Sequence, residues 1–195
     1  MKLIRLALFG TALGAACLVG CLQQEISFKG NTLPGIEKFS VHILAARAKE
    51  PPVTGSFGWG HSFFKVPNVP GLDLSGLDER LHRALLSAFT DKGLTFKETG
   101  SDLLVSYALA GGTEIDAEEL NKAYGIRLEA DASEQAPDLH YKRGVVIVDV
   151  VDRKAKQLLW RGAIMVEIDL SWPSERKQER CTAAINELLR YYPRP

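Results

Sequence analysis

The alternation of apolar and polar residues predicts a long β-hairpin in the second half of the chain. Residues 141–151 are rich in β-branched side chains, and residues 152–156 are polar. In residues 158–170, successive side chains alternate between two faces. This pattern is typical of two antiparallel strands with one buried face. The face expected to be buried carries Trp160, Gly162, Ile164, Val166 and Ile168, and the opposite face carries Arg161, Ala163, Met165, Glu167 and Asp169.

Shorter alternating segments predict further strands over residues 39–45, 57–66, 103–111 and 124–129. In the second of these, Gly58 and Gly60 permit a bulge or a close backbone approach, with Trp59 and Phe63 packed on one face. Residues 113–121 include a cluster of carboxylates over residues 114–119. They are predicted to form a solvated acidic loop, because the tight turn and ordered ligand positions of a calcium site are missing.

Two segments have the spacing of amphipathic helices. The first follows a capping signature of Ser75 and Asp78 and ends at Gly93, a left-handed cap. Its apolar stripe consists of Leu77, Leu81, Leu85 and Ala88, whereas Arg80, His82 and Arg83 are expected to be solvated. The second helix spans residues 174–192, with Cys181 facing the core. The predicted fold is α+β, a mainly antiparallel sheet with two helices packed on one face.

The N-terminus has the pattern of an export signal. Lys2 and Arg5 precede an uncharged apolar run over residues 6–22. The run includes Leu18-Val19-Gly20-Cys21, which resembles the bacterial lipobox. The resemblance implies cleavage between Gly20 and Cys21, a diacylglyceryl thioether on Cys21, and acylation of its new amine, for example by palmitate. The alternatives are an uncleaved membrane span and an ordinary secretory signal cleaved elsewhere.

These patterns divide the chain into a lipoprotein signal peptide over residues 1–20, the lipidated cysteine with a flexible tether over residues 21–35, and one domain over residues 36–195. The membrane is then the first partner, through lipid on Cys21. In many Gram-negative bacteria an aspartate after the lipidated cysteine keeps a lipoprotein in the inner membrane, and here Leu22 occupies that position, which favours the outer membrane. The expected location is its inner leaflet, facing the periplasm.

Composition and motifs exclude several classes of function. The chain has 24 basic and 24 acidic residues, so it lacks the positive field that nucleic-acid binding needs. The sequence has no glycine-rich phosphate loop, nucleophile elbow, paired cysteines or zinc-protease motif, and no cofactor or metal is expected. Asp102, Asp149 and Asp152 are candidates to meet Arg161 across the sheet, where an ion pair would pin the hairpin.

The residues leave two functional classes open. The favoured one is a noncatalytic envelope protein that binds a partner protein, a lipid or a cell-wall component, with Trp59, His61 and Phe63 as the candidate binding surface. An accessory subunit of an envelope transport complex is a variant of this hypothesis. The alternative is a small periplasmic hydrolase, which would need His61 or His140 in a pocket beside a carboxylate and a hydroxyl.

Several segments together resemble one family of bacterial lipoproteins. They are the aromatic strand over residues 57–67, the Asp-Leu-Leu-Val-Ser-Tyr segment over residues 102–107, the block over residues 144–152, Leu-Trp-Arg-Gly-Ala over residues 159–163, and a closing helix that ends in Tyr-Pro. Over about residues 55–195 the chain is similar to the family of the domain of unknown function 4136. The resemblance implies a periplasm-facing lipoprotein and carries no catalytic residues over to this chain.

Overall fold

The computed structural model describes residues 23–30, 39–46, 51–65, 76–112, 117–125, 141–169 and 171–193. The strands in these ranges are β1 (Gln23–Gly30), β2 (Phe39–Ala46), β3 (Gly55–Lys65), β4 (Leu94–Phe96), β5 (Leu103–Gly112), β6 (Tyr141–Asp152) and β7 (Gln157–Asp169). The helices are α1 (Leu77–Asp91), α2 (Ala117–Tyr124) and α3 (Ser174–Leu189).

The described strands form one sheet in the order β1-β2-β7-β6-β5-β3-β4. Every neighbouring pair is antiparallel except that β3 runs parallel to both β4 and β5. In the sequence, α1 lies between β3 and the strands β4 and β5. The helix brings the chain back to the end of the sheet at which β3 begins, so β4 and β5 run in the same direction as β3, as in any parallel crossover. The α+β class with a mainly antiparallel sheet is thereby confirmed.

The predicted hairpin is β6 and β7. Val148 pairs with Gly162, and Asp149 pairs with Arg161. The polar turn is held by the Asp152 carboxylate, which accepts hydrogen bonds from the backbone N–H groups of Lys154 (3.0 Å) and Ala155 (2.9 Å). Lys156 completes the turn in the left-handed region, with φ of 56°.

Helices α1 and α3 cover the same face of the sheet, as the apolar stripes predict. The main core joins Leu85 and Phe89 of α1 and Ile185 of α3 to Trp160 and Ile164 of β7. Near the helix C-termini, the ring of Phe89 meets that of Tyr192 at 5.5 Å. A smaller buried cluster lies apart from this core, made of Ala108, Val145, Ile147 and Ala163, with Tyr124 of α2 packed against it.

Two segments differ from the sequence-based expectation. Gln23–Gly30 was expected to be tether, but it forms β1 and pairs along its whole length with β2. Its alternation of Ile26 and Phe28 with polar residues is short, and pairing with the edge of β2 supplies the hydrogen bonds that stabilise it as a strand. β1 precedes the expected domain start at residue 36 and belongs to the same sheet.

The second difference is α2, since Ala117–Tyr124 forms a helix where an acidic loop and the start of a strand were expected. Alanine, glutamate and leucine favour helix, and acidic residues near a helix N-terminus are stabilising. Residues 113–116 and 126–129 lie outside the described ranges.

The start of α1 also differs in detail, whereas its end is confirmed. Gly76 occupies the N-cap with φ of 67°, and no side chain caps the helix. Ser75, expected to be the cap, is outside the described residues. Gly93 has φ of 86°, and its N–H donates to the carbonyl of Thr90 at 2.9 Å, which confirms the left-handed end.

The Asp149–Arg161 pair gives a prediction for stability. The Arg161 guanidinium donates to both carboxylate oxygens of Asp149 at 2.6 and 2.5 Å and to the backbone carbonyl of Tyr124 at 2.7 Å. The two side chains are 16% and 20% exposed. Arg161→Met is expected to lower the free energy of unfolding by about 2 kcal/mol, because it leaves the carboxylate without its partner in a largely dry site.

Urea unfolding measures this loss, and the double variant Asp149→Leu/Arg161→Met is the control. It removes both charges and should recover a large part of the lost stability. If the double variant is less stable than Arg161→Met, the pair is not the reason for the loss.

Candidate functional site

Four side chains from three elements form an aromatic–acidic site, which we define as Trp59, Asp78, His82 and Tyr107. Trp59 of β3 pairs with Val105, and Tyr107 lies two positions further along β5, on the same face. Asp78 and His82 come from the first turns of α1. They continue the line of buried Leu85 and Phe89 at helical spacing, so they project towards β3 and β5.

A bulge in β3 places its backbone close to β5 beside this site. The register shifts between Trp59 and Ser62, at the position of Gly60 and His61. At the neighbouring Gly58, a Cβ atom would lie 2.7 Å from the carbonyl oxygen of Lys97 and 2.8 Å from Oγ of Ser101. Only glycine fits this approach, which confirms the expectation of close packing at these glycines.

His82 lies between the aromatic rings of the site. Its ring centroid is 4.4 Å from that of Trp59 and 5.4 Å from that of Tyr107, the latter edge-on. Its Nε2 is 3.4 Å from the Tyr107 hydroxyl, and its Nδ1 is 3.6 Å from Oδ2 of Asp78. Contacts at both ring nitrogens therefore fix the orientation of His82. Its side chain is still 35% exposed, and that of Asp78 is 51% exposed.

The hydroxyl of Tyr107 donates a hydrogen bond to the carboxylate of Asp78. Burial raises the pKa of Tyr107, and the hydrogen bond to Asp78 and the charge of that carboxylate raise it further. The phenol thus stays protonated, because losing its proton would leave two anions in contact. This arrangement suits a hydrogen-bonding site better than a nucleophile.

The site differs from the predicted binding surface. Trp59 is half-buried and packs on Phe57, Phe96 and His82, so it contributes an edge rather than an open platform. His61 is exposed in the bulge. Phe63 pairs with Ala108, which lies in the smaller cluster, whereas Trp59 pairs with Val105 in the main core. The register therefore contradicts a shared face for Trp59 and Phe63.

His82 was expected on the solvated face of α1, and that expectation is wrong. The sequence signal that locates it is the spacing of Asp78, His82, Leu85 and Phe89, which follows one helix face through polar and apolar positions alike. Arg83 is exposed as expected and forms an exposed pair with Glu79 at 3.7 Å. His140, the other predicted hydrolase histidine, lies outside the described residues.

Of the three carboxylates expected near Arg161, only Asp149 pairs with it. The Asp102 carboxylate instead accepts hydrogen bonds from the backbone N–H (2.9 Å) and Oγ (2.6 Å) of Ser56, and these bonds lower its pKa. Asp152 holds the hairpin turn. The ion pair predicted to pin the hairpin is thus confirmed for one of its three candidates.

Cys181 of α3 is half-buried and packs against the main core, as predicted. Burial raises the pKa of its thiol to about 12, an effect that the nearby Arg80 opposes. Throughout the described ranges, no group of three or more His, Cys, Asp or Glu residues is placed to hold a metal ion. None of the helices α1 to α3 is long and apolar enough to cross a membrane. The signal sequence and Cys21 lie outside the described residues, and lipidation stays a prediction.

The chain is distantly similar to several solved structures. Two PelC dodecamers from Paraburkholderia phytofirmans are 8% and 7% identical, with TM-scores of 0.43 and 0.44, and each match covers 77% of this chain and 94% of theirs. A PDZ domain protein from Parabacteroides distasonis is 16% identical with a TM-score of 0.38, over 68% of this chain and 32% of its own. No conclusion about function rests on these values.

The sequence matches a protein-family model, whereas no curated protein matches the chain. The family model described as domain of unknown function, DUF4136, matches residues 56–194, from the second residue of β3 to a point five residues beyond the end of α3. The match spans more than half of the chain and includes every residue of the aromatic–acidic site, and the chain therefore belongs to the DUF4136 family.

Proposed function

We propose that this protein is a lipid-anchored envelope protein, facing the periplasm, that binds a cell-wall saccharide at the aromatic–acidic site without catalysing a reaction. The observation that carries the binding role is the position of His82, oriented by Trp59, Tyr107 and Asp78 yet one-third exposed. The lipobox-like Leu18-Val19-Gly20-Cys21 supports the anchor. Two or more acyl chains hold a protein stably on a bilayer.

The exposed groups of the site suit a sugar. The Asp78 carboxylate accepts hydrogen bonds, and sugar hydroxyls are donors. The rings of His82 and Trp59 are half-exposed, and Ser62, which pairs with Tyr107, adds an exposed polar group beside them. Because Asp78 and His82 are already oriented by their neighbours, these side chains lose little conformational entropy when a ligand binds.

Binding to purified peptidoglycan sacculi tests this proposal. Full-length protein in detergent should co-sediment with sacculi, and His82→Ala should weaken binding at least about tenfold, because a charge-assisted or ring contact of this kind contributes about 1.5–3 kcal/mol. Glu79→Gln/Arg83→Ala is the matched control, since that exposed pair lies one residue further along the same helix. Equal binding by His82→Ala and the control would contradict the assignment of the site.

A small hydrolase is the second candidate, because Asp78, His82 and Tyr107 bring a carboxylate, an imidazole and a hydroxyl together. The direction of the Tyr107 hydrogen bond and its raised pKa oppose this reading, since the hydroxyl donates to the carboxylate rather than to the imidazole. Release of fragments from the sacculi during the same incubation, lost in His82→Ala, would favour the hydrolase over the binding protein.

A further inference from the structure

The distance along the chain between the proposed anchor and the first strand is very short. β1 begins at Gln23, so only Leu22 separates it from Cys21. An extended chain spans at most about 3.6 Å per residue, which holds Cys21 within about 7 Å of Gln23. A lipid on Cys21 therefore fixes one particular end of the sheet at the membrane.

The strand register identifies which end this is. Gln23 pairs with Ala46, and Ala45 pairs with Trp160, three residues after the first residue of β7. The start of β1 is thus level with the start of β7 and with the β6–β7 turn that precedes it. Two strand spacings separate β1 from β7, about 10 Å across the sheet. The turn over residues 153–156 lies at the same end as the proposed anchor.

The β6–β7 turn carries outward positive charge. Lys154 and Lys156 are exposed at its tip, and Lys97 is exposed on the adjoining segment. That segment is joined to the turn where the N–H of Arg153 donates to the carbonyl of Asp102 at 3.0 Å and its guanidinium donates to Oγ of Ser101 at 3.2 Å.

The carboxylates at this end are mostly engaged within the protein. Asp152 accepts from two N–H groups of the turn, and Asp102 accepts from Ser56. Glu98 is the exposed carboxylate of the adjoining segment. The turn is closed by a backbone hydrogen bond from the N–H of Lys156 to the carbonyl of Asp152 at 2.8 Å. The lysines therefore lie on a hydrogen-bonded turn.

We infer that the β6–β7 turn is a membrane-contact surface, at which Lys154 and Lys156 bind the headgroups of anionic phospholipids beside the Cys21 anchor. This inference rests on the lipid anchor of the proposed function. Basic residues close to an anionic bilayer are attracted to its surface, and the anchor removes the cost of bringing them there. The contact keeps the end of the sheet that carries the β6–β7 turn at the membrane, and the start of α3 lies at the opposite end of the sheet.

Headgroup quenching of a site-specific fluorophore tests the contact. The full-length lipidated protein is reconstituted into vesicles of phosphatidylethanolamine and phosphatidylglycerol that contain a headgroup-spin-labelled lipid. An environment-sensitive fluorophore is attached at Ala155→Cys or, as control, at Ser174→Cys. Ser174 lies beyond the other end of β7, about 40 Å away along the strand. The parent protein, with half-buried Cys181, gives the labelling background.

The expected result is strong quenching at position 155 and little at position 174. Lys154→Glu/Lys156→Glu should shift the equilibrium between contact and no contact by about tenfold or more, because each lysine near an anionic surface contributes about fivefold. Arg176→Glu/Lys177→Glu, the same charge change at the far end, should leave the quenching at position 155 unchanged. Vesicles of phosphatidylcholine alone should reduce it.

Mass spectrometry of the same preparation separates the two possible failures. Equal quenching at positions 155 and 174 in protein that carries lipid on Cys21 overturns the contact surface and leaves the anchor intact. The contact surface is also overturned if the lysine reversals have no effect. A chain without lipid on Cys21 overturns the anchor and the contact that rests on it.

Discussion

Cys21→Ser is expected to abolish lipidation completely. In the proposed lipoprotein, the diacylglyceryl group would be attached to Cys21 through a thioether, which a serine hydroxyl does not form. Each methylene of an acyl chain buried in a bilayer contributes about 0.8 kcal/mol, so losing every chain removes the whole anchoring energy. Incorporation of labelled palmitate in cells should fall to background, and the intact mass should be that of the unprocessed chain.

Cys17→Ser is the matched control for this change. Cys17 lies in the same apolar run, but Gly14 stands three places before it where Cys21 has Leu18. Its replacement should leave palmitate incorporation and cleavage at Gly20 unchanged. Persistent lipid in Cys21→Ser, or cleavage elsewhere in the wild type, would favour the ordinary secretory signal. An unmodified wild type of full length would favour the uncleaved span.

Phe57→Ala is expected to cause a large loss of stability. Phe57 is 0% exposed, and its ring lies 5.4 Å from that of Phe89 and 5.5 Å from that of Phe96, where β3, β4 and α1 meet. Removing the ring from such a site costs about 3–5 kcal/mol through lost burial and the cavity left behind. Urea unfolding followed by circular dichroism measures the change.

Phe57→Leu and Leu86→Ala are the controls for this prediction. The first keeps most of the apolar volume and should cost less than Phe57→Ala. The second removes an apolar side chain of α1 that is 37% exposed, so the free energy of unfolding should change little. If Phe57→Ala destabilises the protein no more than Leu86→Ala does, Phe57 does not join these elements. Phe57 also contacts Trp59, so its loss should weaken ligand binding at the aromatic–acidic site.

Sequence patterns were sufficient to predict an element wherever its characteristic pattern extends over many residues. In the β6–β7 hairpin, β6 is a long run of β-branched residues and β7 alternates between two faces, which carry the side chains expected for Trp160 through Val166. Helix α1 likewise repeats its apolar positions and ends at Gly93 with the expected backbone. In both cases local periodicity and tertiary burial agree.

The missed features depend on partners that are distant in the sequence. β4 has three residues and exists as a strand because it pairs with the edge of β3. β1 depends in the same way on β2. The spacing of His82 relative to Leu85 and Phe89 places it on the inner side of α1, but its contacts with Trp59 and Tyr107 depend on how α1 crosses β3 and β5. Pairings of this kind are set by the whole fold, not by local propensity.

The most direct test of the account is to extract the protein from its own cell envelope in mild detergent, beside the His82→Ala variant. Mass spectrometry then identifies the modification of Cys21 and every molecule bound to each protein. The account predicts lipid on Cys21 in both samples and a saccharide bound to the wild type that is lost from the variant. An unmodified Cys21, or the same bound molecules in both samples, would contradict it.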